Sequence, residues 1–244
     1  MTPLVLVHGF MGGSEQWRAQ VEHMSTHHRV ITPDLPGFGR NNHLPVIDSI
    51  AGFATWVLDY LEAQGIKKFH LLGHSMGGMI AQEMVEHAER GLVDRLILYG
   101  TGAVGVLPGR FETIEQSKRR AADDGADATA RRISATWFLR RESDPAYAAC
   151  ANIAAQSAPA ALPAGLDAMQ AWSGEAALSS IEHPTLVLWG DSDRTYPWTQ
   201  TEILWRNIPN SNLSVVPGAA HAVHLEKPAL FNALIDEFLA ATAP

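Results

Sequence analysis

One cysteine in 244 residues leaves this chain without an intrachain disulfide, which fits a reducing compartment and a cytoplasmic location. That residue, Cys150, lies in an alanine-rich stretch and reads as a small buried hydrophobe. Basic residues are scarce: 18 Lys and Arg stand against 26 Asp and Glu, for a formal net charge of -8. No basic stripe of the kind a phosphate backbone demands is visible, so nucleic acid is excluded as a partner. Long apolar runs are missing too. Each is broken by charge or glycine well short of the roughly 20 residues a bilayer span needs, so no membrane partner is expected. The opening MTPLVLVHGF is apolar for a few residues only and has no basic leader, so it does not read as a signal peptide. Neither a Gly-x-Gly-x-x-Gly fingerprint nor a cluster with metal-ligand spacing occurs, so no cofactor is expected.

What the chain has in quantity is apolar residues, 46% of the total, enough for one folded domain with a substantial core. Short runs rich in leucine or β-branched residues recur: LVLV from Leu4, RVIT from Arg29, FHLL from Phe69, RLILY from Arg95, TLVLW from Thr185 and LSVV from Leu213. Each reads as a buried strand. Amphipathic patterns separate most of them. In SIAGFATWVLDYLEAQG, from Ser49, residues Ile50, Phe53, Ala54, Val57, Leu58 and Leu61 share one helix face and Gly65 supplies the stop. Strands alternating with helices predict an α/β fold with a mostly parallel sheet of about six strands, covered on both faces. The alternation fails between 102 and 180, where alanine-rich helical patterns are divided by proline and glycine. This stretch reads as a helical cap inserted into a core built from 1–101 and 181–244. Its arginine pairs, Arg119 with Arg120, Arg131 with Arg132 and Arg140 with Arg141, have acids nearby and read as solvated helix faces.

Within HLLGHSMGGMIAQ, Ser75 falls on a strand-to-helix turn inside Gly-x-Ser-x-Gly. Such a turn exposes a serine hydroxyl above the sheet, and the flanking Gly73 and Gly77 avoid collisions that side chains would make. A nucleophilic serine needs a base, an orienting acid and an oxyanion site. His221 lies in a small-residue loop just past the last predicted strand and is preferred as base over His224, three residues on. The acid belongs after TLVLW, where GDSD supplies Asp191 and Asp193; Asp193 can reach back to a histidine, whereas Asp191 suits a turn former. The backbone N–H groups of Phe10 and Met76 are the candidate oxyanion donors. His8 and Asp34 read as structural.

The segments LVLVHGF, PDLPGFGR, GHSMGG, LVLWGDSDRTYP and GAAHAVHLEKP resemble, in that order, the oxyanion, post-strand, elbow, acid and histidine segments of the α/β-hydrolase superfamily, over essentially the whole chain. The resemblance implies the same nucleophile, acid and base. Because the sequence opens directly on LVLVHGF, the family's first two strands are expected to be absent. Asn41 stands where relatives carry a small hydroxyl. A serine nucleophile sets the chain apart from the dehalogenase and epoxide hydrolase branches, whose chemistry resembles carboxylate attack. The remaining reactions are hydrolysis of a carboxylic ester or lactone, or carbon-carbon cleavage of aromatic ring-fission products. The latter group usually shows Asn before the nucleophile; this chain has His74, which favours the ester or lactone. A slow-turnover small-molecule receptor is the alternative from another class. Trp137, Phe138, Met169 and Trp172 from the cap, with Trp198 from the core, are candidates for a mainly apolar pocket taking a small-molecule substrate of small to medium size.

Overall fold

The computed structural model describes residues 1–88, 91–107 and 112–241. Along the chain run β1 (Leu4–Val7), α1 (Arg18–Met24), β2 (Val30–Ile31), α2 (Ile50–Ala63), β3 (Phe69–His74), α3 (Met76–His87) and β4 (Val93–Tyr99). Four helices follow: α4 (Ile114–Asp124), α5 (Ala126–Ala135), α6 (Tyr147–Ala154) and α7 (Ala161–Gln170). The chain then returns to β5 (Thr185–Gly190), α8 (Trp198–Asn207), β6 (Ser211–Val216), α9 (Val223–Glu226) and α10 (Pro228–Ala240). The six strands form one sheet in the order β2-β1-β3-β4-β5-β6, and every pairing is parallel.

The apolar runs explain this sheet. Alternate residues of a strand face opposite sides, and both sides here are covered. Val5, Val7, Leu71, Leu96, Leu98 and Val187 belong to an apolar cluster with residues of α2 and α3, such as Phe53, Val57 and Ile80. Leu4, Leu6, Leu72, Ile97, Leu186 and Leu188 join Trp17 and residues of α1 and α10, including Met24, Phe231, Ile235 and Phe238, in the other. Local signals fix the helix ends. The Ser49 hydroxyl accepts the Gly52 N–H at 3.2 Å and caps α2, and Gly65 takes φ 68° just after it.

The strand order reverses between β1 and β3, so their carboxyl ends open a crevice where parallel sheets place ligands. The four helices inserted between β4 and β5 lie where the sequence shows no strand. Their base is drawn together by an antiparallel bridge between Val104 and Ser173, flanked by bonds from Gly105 N to Trp172 O at 3.1 Å and from Gly174 N to Ala103 O at 2.8 Å. Arg131 pairs with Asp127 at 3.0 Å and Arg140 with Asp144 at 3.5 Å, while Arg132 contacts the buried Glu112 at 3.0 Å. Among the described residues no helix is long and apolar enough to cross a membrane.

Candidate active site

Ser75 follows β3 directly and begins α3 with φ 58° and ψ −122°, a conformation L-residues rarely hold. The turn is held on both sides: the Ser75 N–H donates to Tyr99 O at 3.0 Å, and its carbonyl accepts the Thr101 hydroxyl at 2.7 Å. Side-chain bulk is forbidden around it. A Cβ on Gly73 would lie 2.2 Å from the carbonyl oxygen of Gly77, and one on Gly9 would lie 2.8 Å from Ser75 Cβ. The loop after β1 is thereby pressed against the serine. Neither the Phe10 nor the Met76 N–H donates to any acceptor among the described residues, and Met76 opens a helix whose dipole favours negative charge.

His221 is 1% exposed and Asp193 8%. The imidazole Nδ1 lies 2.9 Å from Asp193 Oδ2. The other carboxylate oxygen accepts the N–H groups of Thr195 at 2.7 Å and Tyr196 at 3.1 Å, so the acid is anchored by its own loop. With Nδ1 donating to a carboxylate, Nε2 is left as the basic nitrogen. Two rings pack on it: His74, the residue before Ser75, lies 4.5 Å away between centroids, and Tyr196 stacks on it at 5.7 Å. The carbonyl of His221 accepts from the Tyr99 hydroxyl at 2.7 Å and His74 Nε2 at 3.1 Å.

The passed-over candidates sit elsewhere. His224 is buried behind this layer, with Nδ1 3.1 Å from the Tyr99 hydroxyl. Asp191 accepts the Gly218 N–H at 2.8 Å in a turn. His8 braces the loop after β1, its Nδ1 donating to Gly9 O at 2.8 Å and its Nε2 accepting the Leu35 N–H at 3.0 Å. Asp34 takes the Ser14 N–H and hydroxyl at 2.7 and 2.8 Å, and Asn41 donates to the Asp34 carbonyl at 2.6 Å. Cys150 is buried, with its thiol pushed up to about 12 by desolvation.

A cavity of about 40 Å³ opens over the serine, lined by Phe10, Ser75, Gly105, Leu107, Ile133, Trp137, Met169, Thr195 and Tyr196. Of the five side chains proposed for the pocket from sequence, Trp137 and Met169 line it. Phe138 is buried against Tyr147 instead. Trp172 donates its indole N–H to Glu83 at 2.8 Å, and Trp198 packs on Trp189 at the surface, 36% exposed. Leu107, Ile133, Thr195 and Tyr196 were not anticipated, although the last two follow Asp193 within GDSDRTYP. Among the described residues one group, Glu83, Glu86 and His87, brings potential ligand atoms within 4.8 Å of one another, a cluster that the sequence reading passes over. These residues are not among those lining the cavity.

Burial makes the histidine layer acid-sensitive. Desolvation holds His8 and His74 below the ordinary histidine range, aided at His74 by the nearby His221 and His224, and lowers His224 to about 3. These rings fold neutral, while an unfolded chain protonates them near pH ~6.5. The unfolded state therefore binds more protons below that pH, and stability, full above it, declines as pH falls toward the folded values. His224 should contribute a slope of up to about 1.4 kcal/mol per pH unit between pH ~6 and ~4, and His8 and His74 add to it in the same direction. Denaturant melts at pH 7.5, 6 and 5 check this; a flat free energy across the series would contradict neutral burial.

Comparison with known proteins gives a consistent picture. A protein of Agrobacterium fabrum named "Putative carbamate hydrolase RutD" is 29% identical over 97% of this chain and 93% of its own length. The 2-hydroxy-6-oxo-6-phenylhexa-2,4-dienoate hydrolase of Burkholderia cepacia is 28% identical over 97% of this chain and 87% of its own. The solved structure of a thermophilic esterase from Thermogutta terrifontis superposes with a TM-score of 0.88 at 28% identity, over 98% of this chain and 89% of that one. The family model described as "alpha/beta hydrolase fold" matches residues 2–228, and the chain belongs to that family.

Proposed function

We propose that the protein hydrolyses carboxylic esters or lactones with a small, mainly apolar acyl group through an acyl-enzyme on Ser75. The observation that carries this reading is a serine on a strained turn, at the wall of a small apolar cavity and beside two N–H groups that have no acceptor among the described residues. His221 Nε2 takes the hydroxyl proton as Oγ attacks the carbonyl, and Asp193 holds the imidazole in that tautomer. The tetrahedral oxyanion rests on the N–H groups of Phe10 and Met76. Collapse expels the alcohol, which receives the proton from His221, and water repeats the sequence to release the acid. The helical insertion acts as the cap, since Leu107, Ile133, Trp137 and Met169 line the cavity beside Ser75.

Cavity size supports the substrate class. About 40 Å³ holds an acyl group of a few heavy atoms. A small carbamate fits the same space, in keeping with the name of the Agrobacterium fabrum relative. Among p-nitrophenyl esters, acetate to butyrate should therefore be cleaved fastest, with kcat/KM falling about tenfold or more by octanoate. A profile that rises towards octanoate would overturn the small-acyl reading.

A further inference from the structure

One wall of the cavity is tied to the core as well as to its own helix, where the Trp137 N–H donates to Ser134 O at 3.1 Å. Trp137 lines the cavity, is 8% exposed, and has its ring centroid 6.3 Å from that of His221. It sits in the turn after α5, and the outward backbone groups of this turn are taken by residues just after Asp193 and just after His221. Trp137 O accepts the Ala222 N–H at 2.9 Å. Phe138 O and Leu139 O accept Arg194 Nη1 and Nη2 at 3.2 and 3.5 Å. The Leu139 N–H donates to Glu226 Oε1 at 2.7 Å, while Glu226 Oε2 accepts the N–H of Ala220, the residue before His221, also at 2.7 Å. Arg194 directly follows Asp193. The loop of the acid and the short helix α9 that follows the base thus each send one charged side chain to the turn that carries Trp137.

We propose that Glu226 and Arg194 are positioning residues that fix Trp137 against the cavity and thereby set the longest acyl group accepted, an inference that rests on the acyl-enzyme reading of Ser75. A carboxylate shared between two N–H groups ties the cavity wall to the histidine loop through charge-assisted bonds, the stronger kind. A guanidinium fork on two successive carbonyls fixes the turn's direction as well as its distance. Without these ties the indole is held by packing and by the two backbone bonds of Trp137 itself, its N–H to Ser134 O at 3.1 Å and its carbonyl from the Ala222 N–H at 2.9 Å, and the cavity can lengthen past it.

The test compares wild type with Glu226→Ala and Arg194→Met on p-nitrophenyl acetate and octanoate, alongside hydrogen exchange of the 137–141 segment. Both variants should lower the acetate-to-octanoate ratio of kcat/KM about tenfold, because a single methylene step in an apolar pocket already discriminates about that much. Exchange in the segment should quicken about tenfold or more as its outward bonds are lost. Glu226→Gln, which keeps the shape and one acceptor oxygen, should fall between and replaces the alanine variant if that fails to fold. An equal loss on both esters, or an unchanged ratio, overturns the selectivity role. If the wild type cleaves no ester the hydrolase reading fails, and unchanged exchange in the variants then overturns the tie itself.

Discussion

Ser75→Ala is expected to lower kcat for p-nitrophenyl acetate by about 10⁴- to 10⁶-fold while leaving the fold intact. The magnitude follows from removing the group that forms the covalent bond: what survives is the contribution of the oxyanion donors and binding, which act without a nucleophile. The fold should persist because the Ser75 hydroxyl takes no part in any hydrogen bond among the described residues, the turn being held by backbone and by Thr101. Alanine tolerates the same left-handed φ no worse than serine, so stability should move by no more than about 0.5 kcal/mol. Steady-state kinetics paired with a denaturant melt separate the two effects. Residual activity within tenfold of wild type would remove Ser75 from the chemistry.

Gly73→Ala should do the opposite, destroying the protein rather than the reaction. The added Cβ would lie 2.2 Å from Gly77 O, 2.6 Å from Gly77 C and 2.7 Å from Gly78 Cα. All three are backbone atoms of α3, which no side-chain rotation can clear. Relief requires moving a helix whose Met79, Ile80 and Met84 are fully buried, and overpacking that cannot relax costs about 3 kcal/mol or more. The expected result is insoluble protein or a denaturant midpoint far below wild type, with activity lost in proportion to folded protein. A variant as stable as wild type would mean that strand and helix are less closely apposed than described.

The sheet was legible because every strand is a short apolar run bounded by turn residues, and a parallel strand buried on both faces leaves that trace in sequence. Boundaries were less so: β4 begins at Val93, before the apolar run, because ladder bonds recruit residues of any polarity. Ser75, Asp193 and His221 could be chosen because each follows a recognisable strand. The pocket resisted the same treatment. Phe138, Trp172 and Trp198 have the composition of a ligand site, yet each is spent on packing or a surface contact, since which face of an inserted helix turns inward depends on contacts distant in sequence. Tyr99, whose hydroxyl reaches the carbonyl of His221, and Glu226 stayed invisible for a related reason: their importance lies in backbone atoms they touch, and backbone leaves no signature in a sequence.

The bridge between Val104 and Ser173 brings together the two ends of a long detour. A chain that leaves a scaffold and rejoins it at one point can grow or shrink between those points at little entropic expense, since closure cost rises only with the logarithm of loop length. Changes of length within the detour should then cost the scaffold little, while the strands that lead to Ser75, Asp193 and His221 keep their register. New substrates would be acquired by revising the excursion and retaining its gateway.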